Sequence, residues 1–143
     1  MNVLVDTSVW SLALRRKPQD LTAAEQSIVD ELADLTREGR VRTIGLIRQE
    51  LLSGIKAATH YEKLRVALRA FPDEAIETSD YEAAAKASNE CRSRGIAAPV
   101  VDALICHVAQ SRQWSIFTTD PDFKAYAKLL PIKLHAPRAA KEK

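Results

Sequence analysis

The chain begins with a short apolar run, and this run limits the folds that the sequence can adopt. Residues 2–5 read NVLV and are followed at once by Asp6, Thr7 and Ser8. A short run rich in β-branched residues, without alternating polar side chains, is typical of a strand buried on both faces of a parallel sheet. Parallel strands need crossover connections, which are usually helices. We therefore expect helical segments between the strands.

The hydrophobic periodicity of the chain predicts both kinds of element. Helices are expected from about Ser8 to Arg15, over AEQSIVDELADLTRE before Gly39, over LIRQELLSGIK, over 59–70, from Ser79 to Gly95, over VVDALICHVAQS after Pro99 and over DPDFKAYAK. Further strands are expected at 41–44, 75–78, 115–119 and 131–134. Thr22 with Glu25, and Ser79 with Glu82, have the spacing of a capping box. The alternation predicts a three-layer α/β fold with a short, mainly parallel central sheet flanked by helices.

The composition is that of an ordinary globular domain. The 143 residues are 46% hydrophobic, which is enough for one core without disulfides. Cys91 and Cys106 lack metal-ligand spacing, so we expect reduced thiols. The sequence shows neither a leader pattern nor a long apolar segment, and we expect a cytoplasmic protein. The net charge of +2 is too small to indicate nucleic-acid binding by itself.

Four acidic residues lie where they are expected to meet. Asp6 ends the first strand and Asp120 ends the strand at 115–119, and ligands of open parallel sheets bind beyond the carboxyl ends of the strands. Glu50 borders the apolar face of its helix, and Asp102 lies in the first turn of the most apolar helix. If the two strands are neighbours, these carboxylates converge.

Each acid also has a purely structural interpretation. Asp6 and Asp120 are favourable N-cap residues, and Pro121 suits the first position of a helix after Asp120. The helix dipole would favour Asp102, and Glu50 alone would be a solvated surface residue. Both interpretations stay open for each residue taken singly.

Taken together, the four carboxylates predict a metal site. At separations of about 6 Å they would repel one another by about 15 kcal/mol in total at an effective dielectric constant of about 20. Mg²⁺ or Mn²⁺ would offset this repulsion, because these hard cations prefer oxygen ligands and bind phosphates alongside a few protein carboxylates. Thr7, Ser8 and Thr118 add hydroxyl groups that can orient a carboxylate or a water molecule.

In motif order over nearly the whole chain, the sequence resembles a PIN domain, specifically the VapC toxins of bacterial toxin–antitoxin pairs, in VLVDTSVW, IRQELLSG, VVDALICHVA and IFTTDPDF. The family's acidic positions are matched by Asp6, Glu50, Asp102 and Asp120. The resemblance implies a metal-dependent endoribonuclease that a cognate VapB-like antitoxin holds inactive and that forms a homodimer. We expect one PIN-like domain over 1–136 and a mobile basic tail over 137–143.

Two positions depart from the family pattern. Cys106 and His107 follow Asp-Ala-Leu-Ile in the third motif, where small residues are usual, and we expect them to change packing rather than chemistry. Asp122 lies two residues after Asp120 in the same turn and is an alternative fourth acid.

The expected chemistry is hydrolysis of an RNA phosphodiester by a metal-activated water, because neither a Ser-His-Asp set nor a convincing Cys-His pair is evident. In this interpretation Asp6, Glu50 and Asp102 hold one Mg²⁺ or Mn²⁺. Asp120 would help to place a second ion or the attacking water.

Five basic residues are candidates for guiding an RNA backbone toward the acids, although a solvated surface explains each of them alone. They are Arg15, Arg16, Lys17, Arg92 and Arg94. The alternative to an enzyme is a catalytically inert PIN-like module that binds metal and protein.

Overall fold

Three short parallel strands lie side by side in the order β2-β1-β3. The structure is a computed structural model, and it describes residues 1–138. Strand β1 spans Val3–Val5, β2 spans Val41–Arg42 and β3 spans Ser115–Phe117. The chain places β2 on one side of β1 and β3 on the other. The strand order therefore reverses beside β1, and this is where open sheets form ligand crevices.

Seven α-helices surround the sheet within residues 1–138. They are α1 (Thr7–Leu14), α2 (Ala23–Arg37), α3 (Gly45–Leu52), α4 (Ala58–Leu68), α5 (Thr78–Ser93), α6 (Val100–Arg112) and α7 (Asp122–Leu129), with a 3-10 turn at Pro18–Asp20. Helix α6 packs on β1 and β3, and α2 packs on β2. None of the helices in the described part of the chain has the length and apolar character to cross a bilayer.

The central strand is covered on both faces. Val3, Leu4 and Val5 are all 0% exposed, and successive strand residues point to opposite faces of a sheet. Helices must therefore lie on both sides of β1. This arrangement confirms the predicted three-layer α/β fold with a parallel central sheet. Helix α6 is buried over most of its length, as its apolar sequence indicates.

The ends of helix α2 follow from local sequence signals. The Thr22 hydroxyl accepts from the Glu25 N–H over 3.1 Å, and the Glu25 carboxylate accepts from the Thr22 N–H over 3.0 Å. This reciprocal pair is the predicted capping box. At the other end Gly39 has a φ of +67°, a left-handed conformation that glycine adopts without a steric penalty.

The prediction of a strand at 131–134 is wrong. Leu134 forms only an isolated parallel bridge with Ile116, supported by hydrogen bonds from Ile116 N to Lys133 O (2.8 Å) and from His135 N to Ile116 O (2.7 Å). Pro131 has no N–H to donate, so the segment cannot extend a ladder in that direction. The apolar pattern also overstated the burial of this segment, since Ile132 is only half-buried and Leu134 is 37% exposed.

The predictions around the start of α5 are also wrong. Residues 75–78 contain no strand, and the neighbouring contact with the sheet is a single bridge between Thr43 and Asp73. The capping box is formed by Glu77 and Asp80 rather than by Ser79 and Glu82. The Asp80 carboxylate also forms hydrogen bonds with His107 and Arg112 on α6, and the sequence around Ser79 and Glu82 does not indicate these contacts.

The last described residues close over a buried acid. Glu31 on α2 is 4% exposed, and its Oε2 lies 2.6 Å from His135 Nε2. The Arg138 side chain donates to both oxygens of Glu31 over 3.1 Å and also contacts Glu38 over 2.9 Å. Of the basic tail expected at 137–143, residues 139–143 lie outside the described residues.

A second buried ionic group ties α5 to α6. The Asp80 carboxylate accepts from the Arg112 guanidinium over 2.8 and 3.1 Å and lies 2.9 Å from His107 Nε2. The N–H of Glu77 also donates to it. The Arg112 hydrogen bonds, the backbone hydrogen bond and His107 hold the pKa of Asp80 well below its ordinary value. The first turn of α5 thus meets the last turns of α6, so the two helices are antiparallel.

We predict that Asp80→Asn lowers the free energy of unfolding by about 2 kcal/mol at pH 7, since charge-assisted hydrogen bonds to a buried carboxylate are lost. Because the pKa of Asp80 is lowered in the folded protein, its charged carboxylate stabilises the fold at pH values above the unfolded-state pKa of about 3.9. This stabilisation is lost as the pH falls through the folded-state pKa. The difference between wild type and variant should therefore be smaller at pH 3 than at pH 7. Urea denaturation measures both, with Asp30→Asn on the exposed face of α2 as the control.

Candidate functional site

Asp6 lies at the carboxyl end of β1, and its carboxylate is held by hydroxyl groups. The residue is 8% exposed. Its Oδ2 accepts from Ser8 Oγ and from Thr118 Oγ1, each over 2.8 Å. Asp6 occupies the N-cap position of α1, yet its side chain makes no capping hydrogen bond. The capping interpretation is therefore correct for the backbone and does not explain the carboxylate.

The same hydroxyls connect the ends of β1 and β3. The N–H of Thr119 donates to Ser8 Oγ over 3.0 Å, and the N–H of Asp120 donates to Thr118 Oγ1 over 3.0 Å. The Asp6 N–H donates to Phe117 O across the strand pair. Asp6 and the turn that carries Asp120 are thus fixed relative to each other.

Thr7, the remaining predicted hydroxyl, is placed differently. Its Oγ1 is buried and has no hydrogen-bond partner among residues 1–138. The structure therefore brings Ser8 and Thr118, but not the Thr7 hydroxyl, into contact with Asp6.

Three further acids meet on the same side of the sheet. Asp102 in the first turn of α6, Asp120 after β3 and Asp122 at the start of α7 each offer a carboxylate oxygen, and these oxygens lie within 4.8 Å of one another. Asp120 also accepts from the Asp122 N–H over 2.9 Å, so it does cap the turn before α7. Both candidates for the fourth acid face Asp102.

Glu50 and Asp6 are close enough to this group to interact with it electrostatically. The pKa of Glu50 is raised, first by burial and then by the charges of Asp6 and Asp102. Glu50 lies on α3 next to the buried Leu51 and is itself largely exposed, so it occupies the rim of the site. Of the four predicted acids, the structure therefore brings Asp102 and Asp120 within metal-ligand distance of each other, whereas Asp6 and Glu50 lie near this pair without belonging to the same close group.

The pKa of Asp102 is also raised. Burial is the largest cause, a hydrogen bond from Tyr126 opposes it, and the charges of Asp6, Asp120 and Asp122 raise it further. The charges that act on Asp102 are all negative, so the site holds an excess of negative charge that a cation would neutralise.

The donor set fits a hard divalent cation. All the converging groups are carboxylates, which Mg²⁺ and Mn²⁺ prefer as ligands. Ligand oxygens on opposite sides of Mg²⁺ are about 4.2 Å apart, and the oxygens of Asp102, Asp120 and Asp122 are within 4.8 Å. Small side-chain adjustments would bring them into one coordination sphere.

Sequence reasoning missed one residue of the site. Tyr126 on α7 is 0% exposed, and its hydroxyl donates to Asp102 Oδ2 over 2.8 Å. The available signal was spacing, since Tyr126 lies four residues after Asp122 and therefore shares a helix face with it. Without knowing that α7 lies beside the start of α6, this spacing is indistinguishable from an ordinary apolar stripe.

The five basic candidates fall into two groups. Arg15, Arg16 and Lys17 follow the carboxyl end of α1, about 12 Å along the helix from Asp6, and Arg16 contacts Glu25 over 3.4 Å. Arg92 and Arg94 end α5. Because α5 and α6 are antiparallel, this second group lies at the same end of the helix pair as Asp102.

Other residues singled out in the sequence have structural roles. Trp10 is 3% exposed and packs edge-on against Phe71 at a centroid distance of 5.0 Å. Cys106 is buried, and His107 contacts Asp80. That the departures from the family pattern at 106 and 107 change packing rather than chemistry stays a prediction.

The comparisons with known proteins identify the family. The PIN domain family model matches residues 3–129. The chain therefore belongs to the PIN domain family, which confirms the resemblance seen in the motifs. No curated protein matches the sequence.

Solved structures share the fold over almost the whole chain. FitAcB from Neisseria gonorrhoeae is 19% identical with a TM-score of 0.73, covering 94% of this chain and 97% of that one. VapBC2 from Rickettsia felis, bound to a DNA fragment from their promoter, is 18% identical with a TM-score of 0.74 and coverages of 94% and 98%. VapBC-5 of the VapBC family of toxin–antitoxin systems, from Mycobacterium tuberculosis, is 16% identical with a TM-score of 0.65 and coverages of 94% and 98%.

We predict that Asp102→Asn stabilises the metal-free protein by about 1 kcal/mol at pH 7. Because the pKa of Asp102 is raised in the folded protein, its ionisation opposes folding once the pH exceeds the unfolded-state pKa. The neutral Asn side chain avoids this cost and keeps an oxygen that can accept a hydrogen bond from Tyr126. The gain should be absent well below the unfolded-state pKa of about 3.9, where the aspartate is protonated in both states, and should grow as the pH rises above that value.

Thermal unfolding in EDTA at several pH values measures this gain. Asp20→Asn, in the exposed turn after α1, is the matched control and should show no pH-dependent gain. A destabilised Asp102→Asn protein at neutral pH would contradict the electrostatic interpretation.

Proposed function

We propose that this protein is a metal-dependent endoribonuclease and the toxin component of a toxin–antitoxin pair. The observation that carries the proposal is the convergence of Asp102, Asp120 and Asp122, whose carboxylate oxygens lie within 4.8 Å of one another, with Asp6 and Glu50 near enough to interact electrostatically with Asp102. Membership of the PIN domain family supports a nuclease. Within residues 1–138 the charges that act on Glu50 and Asp102 are all negative, and clustered carboxylates of this kind support a metal-dependent nuclease.

Asp6, Glu50 and Asp102 would hold one Mg²⁺ or Mn²⁺, and Asp120 or Asp122 would help to place a second ion or the attacking water. A bound divalent cation lowers the pKa of water and stabilises the charge that develops on a phosphate undergoing in-line displacement. It also removes the repulsion that the carboxylates would otherwise exert on an RNA phosphate.

The protein's own residues fix the geometry for this chemistry. Ser8 and Thr118 restrain one oxygen of Asp6, and Thr118 also restrains the backbone of Asp120. The histidines nearest the domain core are engaged elsewhere, His107 with Asp80 and His135 with Glu31. Proton transfer at the site therefore falls to carboxylates and water rather than to imidazole.

The partner in this proposal is a cognate VapB-like antitoxin. Its support is the fold shared with FitAcB, VapBC2 and VapBC-5, together with the motif resemblance to VapC toxins. An apolar groove of about 320 Å³ between α1, α2 and α4 offers a surface for such a partner. Its lining includes Trp10, Leu14, Leu32 and Phe71. The same resemblance supports a homodimer.

We predict that Asp6→Asn abolishes RNA cleavage, by a factor of at least about 100, while the protein stays folded, since a metal ligand is lost and the hydrogen-bonding shape is kept. Purified protein free of any partner is incubated with short structured RNA and Mg²⁺ or Mn²⁺, with and without EDTA. Asp30→Asn is the control and should cleave like wild type.

The outcomes separate the two candidate functions. The nuclease is supported if the wild-type protein cleaves RNA, EDTA stops this cleavage, and the Asp6→Asn protein does not cleave. Cleavage that persists undiminished in Asp6→Asn would contradict the assignment of the site. Wild-type protein that binds metal and the product of a neighbouring gene but cleaves nothing would instead support a catalytically inert PIN-like module.

We also predict that the second basic group contributes more to RNA affinity than the first. In an Asp6→Asn background, Arg92→Ala with Arg94→Ala should weaken RNA binding and reduce the slope of log K against log salt by about 1.4, which is about 0.7 for each single-strand phosphate contact. Arg15→Ala with Lys17→Ala should have a smaller effect. Fluorescence anisotropy at several salt concentrations measures both, and equal slopes in all proteins would contradict the prediction.

A further inference from the structure

Helix α7 presents two different groups to Asp102. Asp122 brings a carboxylate oxygen within 4.8 Å of an Asp102 oxygen, and Tyr126, one turn later, donates its hydroxyl to Asp102 Oδ2 over 2.8 Å. The Tyr126 ring is fixed by an edge-on contact with Phe123 at a centroid distance of 5.1 Å. The hydroxyl therefore approaches Asp102 from a rigid position.

This hydrogen bond decides how the Asp102 carboxylate is turned. In the part of the chain that the structure describes, Tyr126 supplies the single hydrogen bond that this carboxylate receives. Asp6 and Asp120, by contrast, are held through Ser8, Thr118 or the backbone. Groups that hydrogen-bond to a ligand side chain fix its orientation and commonly affect metal affinity by about 10- to 100-fold.

We propose that Tyr126 is a positioning residue for the metal site: its buried hydroxyl holds the Asp102 carboxylate in the orientation that faces Asp120 and Asp122. The inference rests on the proposed function, because it assigns Asp102 as a metal ligand. It adds a residue that the acidic motifs do not contain. A phenol suits this role because it donates one hydrogen bond and brings no charge that would compete with the cation.

The test is Mn²⁺ binding by Tyr126→Phe, measured by isothermal titration calorimetry and by electron paramagnetic resonance of free Mn²⁺. The substitution removes one oxygen and keeps the ring and its contact with Phe123. We expect Mn²⁺ affinity to fall by about 10- to 100-fold, and RNA cleavage to recover as Mn²⁺ is raised by a similar factor. Tyr81→Phe, at a tyrosine that is 54% exposed on α5, is the matched control.

The results distinguish this inference from the function on which it rests. If wild type binds Mn²⁺ and Tyr126→Phe binds it equally well, the positioning role is wrong and the nuclease proposal stands. If wild type itself binds no Mn²⁺, the metal site fails and the inference fails with it. A loss of cleavage in Tyr126→Phe that no Mn²⁺ concentration restores, with unchanged Mn²⁺ affinity, would also overturn the positioning role.

A measurement that does not depend on the folding of this variant uses the three tyrosines of the chain. With ¹³Cζ-labelled tyrosine, the Tyr126 resonance is the one that remains in a protein carrying Tyr61→Phe and Tyr81→Phe. Mg²⁺ should shift this resonance and leave those of Tyr61 and Tyr81 unmoved in the wild type. An unshifted Tyr126 resonance under conditions where calorimetry shows Mg²⁺ binding would overturn the proposal.

Discussion

The parallel register of β1 and β3 is the constraint on which the site depends. Val5 pairs with Phe117, so the next residues of both strands leave the sheet at the same level. Asp6 and Thr118 consequently meet, and the hydroxyl network forms without any long-range adjustment. A slip of one residue would turn every β1 side chain to the other face and separate the acids. The observed register of β1 with β3 is therefore what assembles the site.

The site works against the stability of the fold that carries it. The pKa values of Asp102 and Glu50 are both raised, which shows that their charged forms are disfavoured in the metal-free protein. Stability is supplied elsewhere, by the apolar packing of α6 on the sheet and by the ion pairs of Asp80 and Glu31. Functional sites are commonly places where such strain is retained. A cation that neutralises the carboxylates would stabilise the folded state by binding to it.

Much of the fold and of the site could be predicted from the sequence, because short stretches of neighbouring residues determine many of the elements. The apolar run before Asp6, the capping box at Thr22 and the all-round apolar character of α6 each predict their element. The acids were predictable because strand ends and a first helical turn have known places in a parallel sheet. The roles of Tyr126 and of the capping residue Asp80 could not be predicted, because each residue contacts a partner 24 or more residues away in the chain. The strand predicted at 131–134 failed for a related reason: an apolar pattern does not specify how many backbone groups of a segment pair with the neighbouring strand, and here only Leu134 forms a bridge.

Because the C-terminal segment closes over Glu31, the packing of β3 depends on the last described residues of the chain. His135 and Arg138 form hydrogen bonds with a carboxylate that lies inside the domain, and His135 also packs edge-on against Phe117 of β3. A chain that ends just before His135 would lose both of these partners of Glu31 and the contact with Phe117, so the end of β3 beside the acids would be less well packed.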